Sequence, residues 1–304
     1  MMMRVATFAQ SEQMITSALR VQAVMANEQV QESSGLQSED FGGYGSGAGR
    51  VINLQVSVTR AQSYIDASNL ADNKVQAMYS AVGSVTDIIT QLRTQLSAAT
   101  TGSSTATASV INYAQQAISQ MQGLLNTQYD GEYVFSGART DTAPADLSTF
   151  DTGTGTGSLT TSDTSYYKGD SEIASVRVSD SQSISYGVTA DNPAFEQVMR
   201  LLKYVGNSTT LSSSDISQAL DLASNALDAT STVQAKLSTA ASQIETASTN
   251  QSDYQNFAKT LSTNLTSVDV AAVTAQLSTY QAQLTASYSA IAKIQGLNLA
   301  SYLR

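Results

Sequence analysis

Apolar residues recur at alternating intervals of three and four near both ends of this chain. The residues with this spacing are Met14, Ala18, Val21 and Met25 in the N-terminal part, and Val270, Val273, Leu277, Tyr280, Leu284, Ile291 and Ile294 in the C-terminal part. The alternation places apolar side chains on one helical face and is typical of coiled-coil seams. It predicts a helix over residues 11–33 and a second long helix at the C-terminal end.

The same spacing continues towards the middle of the chain from both sides. Its apolar positions are Val51, Leu54, Val58, Ala61, Ile65, Val75, Met78, Val82, Val85, Ile89, Leu92 and Leu96, then Ile111, Ala114, Ile118, Met121 and Leu125, and later Ile216, Leu220, Ala223, Leu227, Val233, Leu237, Ile244, Phe257, Leu261 and Leu265. These stripes predict long helices, with a Thr/Ser/Gly/Ala linker at 100–107. The stripe weakens between Ser68 and Asp72, which predicts a local kink.

Residues 132–191 follow a period of two instead. Val176 and Val178 alternate with polar residues, as do Ile184, Tyr186 and Val188, and Gly, Asp and Ser separate the runs. Such alternation is typical of short strands with one buried face. The segment therefore predicts a small β-rich part.

Two start signals predict a return to helix after this segment. Asn192 can cap a helix, and Pro193 at the first helical position loses no needed hydrogen bond. Gly206 predicts the end of that helix. Ser212 with Asp215 resembles a capping box at the start of the next one.

The order of these elements predicts a mainly α fold. We expect a long antiparallel helical rod or coiled-coil bundle formed by both termini, with a small β-rich inserted domain. The predicted domains are a terminal coiled-coil assembly domain (1–40 and 266–304), a helical rod domain (41–131 and 192–265) and an outer β-rich domain (132–191).

The surface carries unusually little charge. Charged residues make up 13% of the 304 residues, against roughly 25% in an average soluble domain. Between Leu261 and Arg304 the charged side chains are Asp269, Lys293 and Arg304. Charge normally keeps surfaces apart, so this composition suits a protein that is largely covered by copies of itself.

The charge balance and the missing residue types exclude several functions. A formal net charge of −10 argues against nucleic acid and anionic membrane as partners. The chain has no Cys and no His, which excludes thiolate or imidazole zinc sites and Ser-His or Cys-His catalysis. No other catalytic constellation stands out, and we expect no enzyme activity, no cofactor and no metal site.

Two further motifs have simple interpretations. The glycine run at 42–49 does not fit Gly-x-Gly-x-x-Gly and follows no strand, so it predicts a flexible turn rather than a phosphate loop. Glu39 with Asp40, and Asp170 with Glu172, lack the repeated spacing of a calcium loop. We expect these carboxylates to be solvated.

Six segments carry a resemblance to a known family. They are Met3–Thr7, Gln29–Gly35, Asn126–Gly137 (NTQYDGEYVFSG), Tyr166–Asp170 (YYKGD), Ser287–Leu299 (SYSAIAKIQGLNL) and Tyr302–Arg304. Together they resemble the flagellin family and, within it, the hook–filament junction proteins. The arginine-bearing signatures of filament flagellins near both ends are missing here, which favours the junction branch.

The resemblance implies a structural subunit of the bacterial flagellum that joins hook to filament. It implies export through the flagellar type III channel, with a chaperone on the C-terminal helices, and an extracellular location. The first ten residues hold no apolar stretch of signal-peptide length, so we expect no cleaved leader. The implied partners are copies of the chain itself, a neighbouring hook-associated protein, flagellin and the export chaperone.

The two terminal helices are the predicted site of self-assembly. The predicted assembly residues are Met14, Ala18, Val21, Met25, Val273, Leu277, Tyr280, Leu284, Ile291, Ile294, Leu297 and Leu299. Two alternative functions stay open: a filament flagellin, and a secreted coiled-coil adhesin whose activity lies in the β-rich part.

Overall fold

The structure of the chain, a computed structural model, describes residues 2–148, 150 and 158–296, with side-chain surroundings given from residue 9 to residue 294 of these ranges. The described part is mainly helical. Its α-helices are α1 (Met2–Ser34), α2 (Ala48–Ala99), α3 (Ser104–Leu125), α4 (Pro193–Asn207), α5 (Ser213–Thr266) and α6 (Val270–Gly296). Its strands are β1 (Gln128–Tyr129), β2 (Glu132–Tyr133), β3 (Ser175–Arg177) and β4 (Ser183–Ser185). The predicted fold class, mainly α with a small β part, is confirmed.

The chain forms two compact units. The terminal unit takes the residues up to Thr59 and those from Gln255 onward, and the central unit consists of Arg60–Tyr254.

In the terminal unit, α1 packs against α6. Gly35, whose φ of 70° suits glycine, ends α1. The loop that follows is bound to the turn between α5 and α6, because the N–H of Gln37 donates to the carbonyl of Thr266 (2.7 Å) and the N–H of Val268 donates to the carbonyl of Gly35 (3.0 Å). The end of α1 thus lies at the start of α6, and the two helices run antiparallel.

In the central unit, α2, α3, α4 and α5 share one hydrophobic core with residues 132–191, which we call the insert. Completely buried members of this core include Val75, Ile89, Leu92 and Leu96 of α2, Ala114 of α3, Phe195, Leu201 and Leu202 of α4, Ala219 and Ala223 of α5, and Val178 of the insert. The helices α3 and α4, on either side of the insert in sequence, pack together. The insert therefore leaves the helices and returns to them at one place.

The insert begins at a tight hairpin and holds a second one. Strands β1 and β2 pair antiparallel around Asp130-Gly131, whose φ values of 53° and 79° fit a type I′ turn. In the second hairpin Val176 lies opposite Ile184, and both point inward. The alternation seen in the sequence is confirmed, although the strands are only two or three residues long.

The helix-start signals are confirmed. The Oδ1 of Asn192 accepts the N–H of Ala194 at 3.0 Å, and α4 begins at Pro193. The Ser212 Oγ accepts the N–H of Asp215 at 3.1 Å, while the Asp215 carboxylate accepts the N–H of Ser212 at 2.8 Å. This reciprocal pair is a capping box in which Asp takes the place of Glu.

Three sequence predictions about helix limits were wrong. Helix α1 begins at Met2 rather than at residue 11, because the first ten residues contain no helix breaker. Helix α2 is unbroken from Ser68 to Asp72, with Ser68 fully buried, so the predicted kink is absent. The linker is shorter than 100–107, since α3 starts at Ser104.

The predicted seam of α5 was also wrong near its end. Phe257 is 65% exposed and Leu261 is exposed, whereas Gln255 and Ala258 are buried. The Nε2 of Gln255 donates to the carbonyl of Val58 at 3.3 Å, so a polar residue occupies the inner face there. The buried positions Leu237, Ile244 and Ala258 keep the seven-residue spacing, so Phe257, thirteen positions after Ile244, lies beside the seam rather than on it.

Candidate functional site

The terminal unit contains ten of the twelve predicted assembly residues at described positions. On α1, Ala18 is buried and Met14, Val21 and Met25 are partly buried. The α6 set consists of the buried residues Val273, Leu277 and Leu284 and the partly buried Tyr280, Ile291 and Ile294. Leu297 and Leu299 lie outside the described residues.

These ten residues form the shielded stripe of each helix, where α1 and α6 pack together. A small residue such as Ala18 at the most buried position of α1 permits a close approach of the two helices. A polar contact secures one end, where Thr274 Oγ1 donates to the carboxylate of Glu32 at 2.8 Å. Their visible role is thus to hold the two ends of one chain together, and their contribution to contacts between copies remains a prediction.

A second apolar stripe on α1 stays uncovered. Ile15, Leu19, Ala23, Ala26 and Val30 follow one another at intervals of four, four, three and four, and all are exposed, Leu19 by 60%. On α6, Val270 and Tyr288 are exposed as well. Sequence reasoning missed this outer stripe because it followed only the stronger seam, although the spacing of Ile15, Leu19 and Val30 was visible.

In the central unit the structure brings together two of the segments that carry the family resemblance. The N–H of Asp170 donates to the carbonyl of Ser136 at 3.1 Å, and the N–H of Ala138 donates to the Asp170 carboxylate at 2.9 Å. Gly137 has a φ of 74°, and a side chain there would collide with Asp170. Backbone N–H donors from Ala138 and Glu172 lower the pKa of Asp170. Asn126–Gly137 and Tyr166–Asp170 thus form one hydrogen-bonded cluster.

Asn126 holds the backbone of the insert at Ala145. Its Nδ2 donates to the carbonyl of Ala145 at 2.9 Å, and its Oδ1 accepts the N–H of the same residue at 2.8 Å. The rings of Phe135 and Phe195 pack edge to face with their centres 5.5 Å apart, which joins this cluster to α4. These contacts position the backbone of the insert against the helices.

A buried charge network anchors the insert on α4. Lys203 Nζ lies 2.7 Å from the Asp163 carboxylate and 4.2 Å from the ring centre of Phe150. The N–H of Asp163 donates to the buried carboxylate of Glu196 at 2.8 Å. Burial alone would raise the pKa of Asp163, but Lys203 and Ser165 donate to its carboxylate and lower the pKa.

Two further ion pairs connect the insert to α2. Arg60 and the Tyr64 hydroxyl both bind the Asp180 carboxylate, at 3.1 and 2.8 Å, and Lys74 pairs with Glu132. The Tyr64 hydrogen bond lowers the pKa of Asp180, and the same bond raises the pKa of Tyr64. With Lys203 and Asp163, each of these three pairs has its cation on a helix and its carboxylate on the insert.

Within the described ranges, no group of three or more carboxylates is placed to hold a metal ion. Across the same residues, none of the helices combines the length and the hydropathy needed to traverse a lipid bilayer.

Comparisons with known proteins agree with this architecture. The model of the bacterial flagellin N-terminal helical region matches residues 5–140, and that of the bacterial flagellin C-terminal helical region matches residues 220–303. A search of curated proteins found no match.

Two solved structures match the chain, and the first resembles it in fold. A putative flagellar hook-associated protein from Vibrio parahaemolyticus has a TM-score of 0.60 at 14% identity, over 75% of this chain and 99% of that one. Bacillus cereus FlgL has a TM-score of 0.49 at 16% identity, over 70% of this chain and 98% of that one. The two flagellin models together span most of the sequence and coincide with the helices that pair the two ends of the chain, and the chain belongs to the flagellin family of bacterial flagellar structural proteins.

Proposed function

We propose that this chain joins the hook to the filament, outside the cell, and assembles through its N- and C-terminal helices. The observation that carries the proposal is the outer stripe of α1, on which Leu19 is 60% exposed. The shielded stripe of the same helix is already covered by α6. Uncovered apolar surface of this kind marks an interaction site. Copies of the chain, a neighbouring hook-associated protein and flagellin are the partners that would cover it.

We place the chain at the hook–filament junction rather than in the filament because the segments Asn126–Gly137 and Ser287–Leu299 resemble junction proteins. The fold shared with a putative hook-associated protein adds support at the level of architecture. Export through the flagellar type III channel, with a chaperone on the C-terminal helices, belongs to the same proposal. So does the division into an assembly part (1–40 and 266–304), a rod (41–131 and 192–265) and the insert.

Localisation on intact flagella tests the position. An epitope label on the chain, detected by immuno-electron microscopy, should be confined to the boundary between hook and filament. Label along the whole filament would contradict a position at the hook–filament junction and would favour the alternative, a filament flagellin.

A substitution on the outer stripe tests the route of assembly. Leu19→Glu should leave the folded monomer unchanged, because the side chain is exposed, and should prevent incorporation into flagella. Gln22→Glu adds the same charge at a neighbouring exposed polar position and should incorporate normally. Normal incorporation of Leu19→Glu would show that this stripe is not the assembly surface.

A further inference from the structure

Two grooves flank α5 within the central unit. The first, of about 570 Å³, lies between the β3–β4 hairpin and α5, and Lys236 is the charged residue of its described lining. The second, of about 410 Å³, lies between α2 and α5 and contains Asp72 and Glu245. We call them the basic groove and the acidic groove.

The two grooves lie on opposite flanks of the same helix. Nine positions separate Lys236 from Glu245, which is about two and a half turns at 3.6 residues per turn. Leu237 lines both grooves, so they overlap in height along α5. A copy placed beside this one at about the same height would therefore bring unlike grooves together.

Both grooves combine exposed apolar surface with unmatched charge. Ile173 at the basic groove is 45% exposed and Tyr79 at the acidic groove is 43% exposed. Among the described residues, neither Lys236 nor Asp72 nor Glu245 has an ion-pair partner. Each groove thus has an apolar edge and offers the charge that the other lacks.

We propose that the basic groove of one copy docks side by side against the acidic groove of a second copy. The inference rests on the proposed function, since it assumes that copies assemble. Copies with a net charge of −10 repel one another as wholes, so locally opposite charges favour a lateral contact. Because the two faces differ, the contact is heterologous and can continue from copy to copy around a ring or along a helix.

Paired cysteines provide a sharp test because the chain has no cysteine of its own. Lys236→Cys combined with Glu245→Cys cannot form a disulfide within one chain, since the two positions lie on opposite flanks of α5. A contact through Asp72 is tested with Lys236→Cys and Asp72→Cys, where only cross-linked species larger than one chain count. Cells carrying each full-length variant as their only copy supply sheared flagella, which are then oxidised and analysed by non-reducing gel electrophoresis.

We expect a ladder of cross-linked dimers, trimers and higher species from at least one of the two pairs. Each single cysteine variant should remain without a ladder, since the contact pairs unlike faces. As a matched control, Lys236→Cys with Arg93→Cys places the second thiol at an exposed cation outside both grooves and should also give none.

The failures are distinguishable. If the variants are present in sheared flagella and neither pair gives a ladder, the lateral contact is wrong while the proposed function stands. If single variants or the Arg93 control cross-link as well, the specific docking is wrong. If the wild-type chain is absent from flagella, the proposed function itself fails.

Charge reversal provides an independent readout. Lys236→Glu should reduce incorporation into flagella several-fold, and adding Asp72→Lys with Glu245→Lys should restore it. Arg93→Glu makes the same charge change elsewhere and should have no effect. Full incorporation of Lys236→Glu, or no recovery in the combined variant, would overturn the proposal.

Discussion

The ammonium of Lys203 lies 2.7 Å from the carboxylate of Asp163, and this pair connects α4 to the insert. Lys203 is 7% exposed and also covers the ring of Phe150. An ion pair in this position orders the loop around Asp163, because a buried cation without its partner would be strongly unfavourable.

Lys203→Met should therefore destabilise the central unit by about 1–3 kcal/mol, since it removes a hydrogen-bonded charge and leaves Asp163 without its cation. Urea unfolding of the full-length monomer measures the loss. Lys236→Met serves as the control, because Lys236 is exposed and should change stability by less than about 0.5 kcal/mol. Equal effects of the two substitutions would contradict the anchoring role.

Acid should weaken the same contact. The pKa of Asp163 is lowered in the folded chain, so its ionised form adds stability above the pKa of the unfolded chain, which is about 4. That contribution is lost as the pH falls through the folded value. The difference in unfolding free energy between wild type and Asp163→Asn should be constant from pH 7 to pH 5 and should shrink below about pH 4. A difference that grows as the pH falls would contradict a lowered pKa of Asp163 in the folded chain.

Substitution of Asn192, the N-cap of α4, should have a smaller effect on stability. Asn192→Ala removes the acceptor for the N–H of Ala194 and should cost about 1 kcal/mol. Asn192→Asp keeps an acceptor at the same place and should retain most of the stability. Thermal unfolding followed by circular dichroism distinguishes them, and equal melting temperatures for Ala and Asp would contradict the cap.

Glu28 lies on the shielded stripe of α1, and its Oε2 is buried with no hydrogen-bond partner in the described part of the structure. Glu28→Met should therefore stabilise the pairing of α1 with α6 by about 1 kcal/mol, because it removes an unsatisfied polar atom and keeps helix propensity. Hydrogen exchange of the α1 amides measures this, with the exposed Glu12→Met as the control. Faster exchange in Glu28→Met would indicate that the carboxylate has a stabilising role.

The packing of the central unit predicts that it folds without the chain ends. Among the described residues, its core extends from Ala71 to Ala247 and uses none outside Arg60–Tyr254. A chain shortened to residues 41–265 should unfold cooperatively at the same urea midpoint as the central unit of the full chain. A non-cooperative transition would show that the ends are needed for this core.

The helical part of this fold was largely visible in the sequence because repeated spacing, caps and breakers are local signals. The seam residues of α1 and α6, the Asn192 cap and the Ser212–Asp215 box were all predictable in this way. The Asp130-Gly131 hairpin also carries a local signal that the alternation of apolar residues does not include, because Asp-Gly favours a type I′ turn.

Long-range polar contacts had no signal in the sequence. Lys203 and Asp163 are forty positions apart, and nothing about either residue indicates the other. The same holds for Arg60 with Asp180 and for the two grooves beside α5, since each combines residues from separate elements. The exposure of Phe257, in contrast, was visible in the spacing, because the seven-residue repeat from Ile244 leads to Ala258 and leaves Phe257 outside the seam.

The antiparallel packing of α1 with α6 also has a consequence for when the chain can fold. Its first helix meets its partner only in the last one, and Gln37 hydrogen-bonds with Thr266 across almost the whole sequence. Contacts so distant in sequence cannot form until nearly all of the polypeptide is available, which makes folding slow and late. In a chain that emerges with its N-terminus first, the terminal unit thus stays open until α6 follows, whereas the central unit can fold earlier.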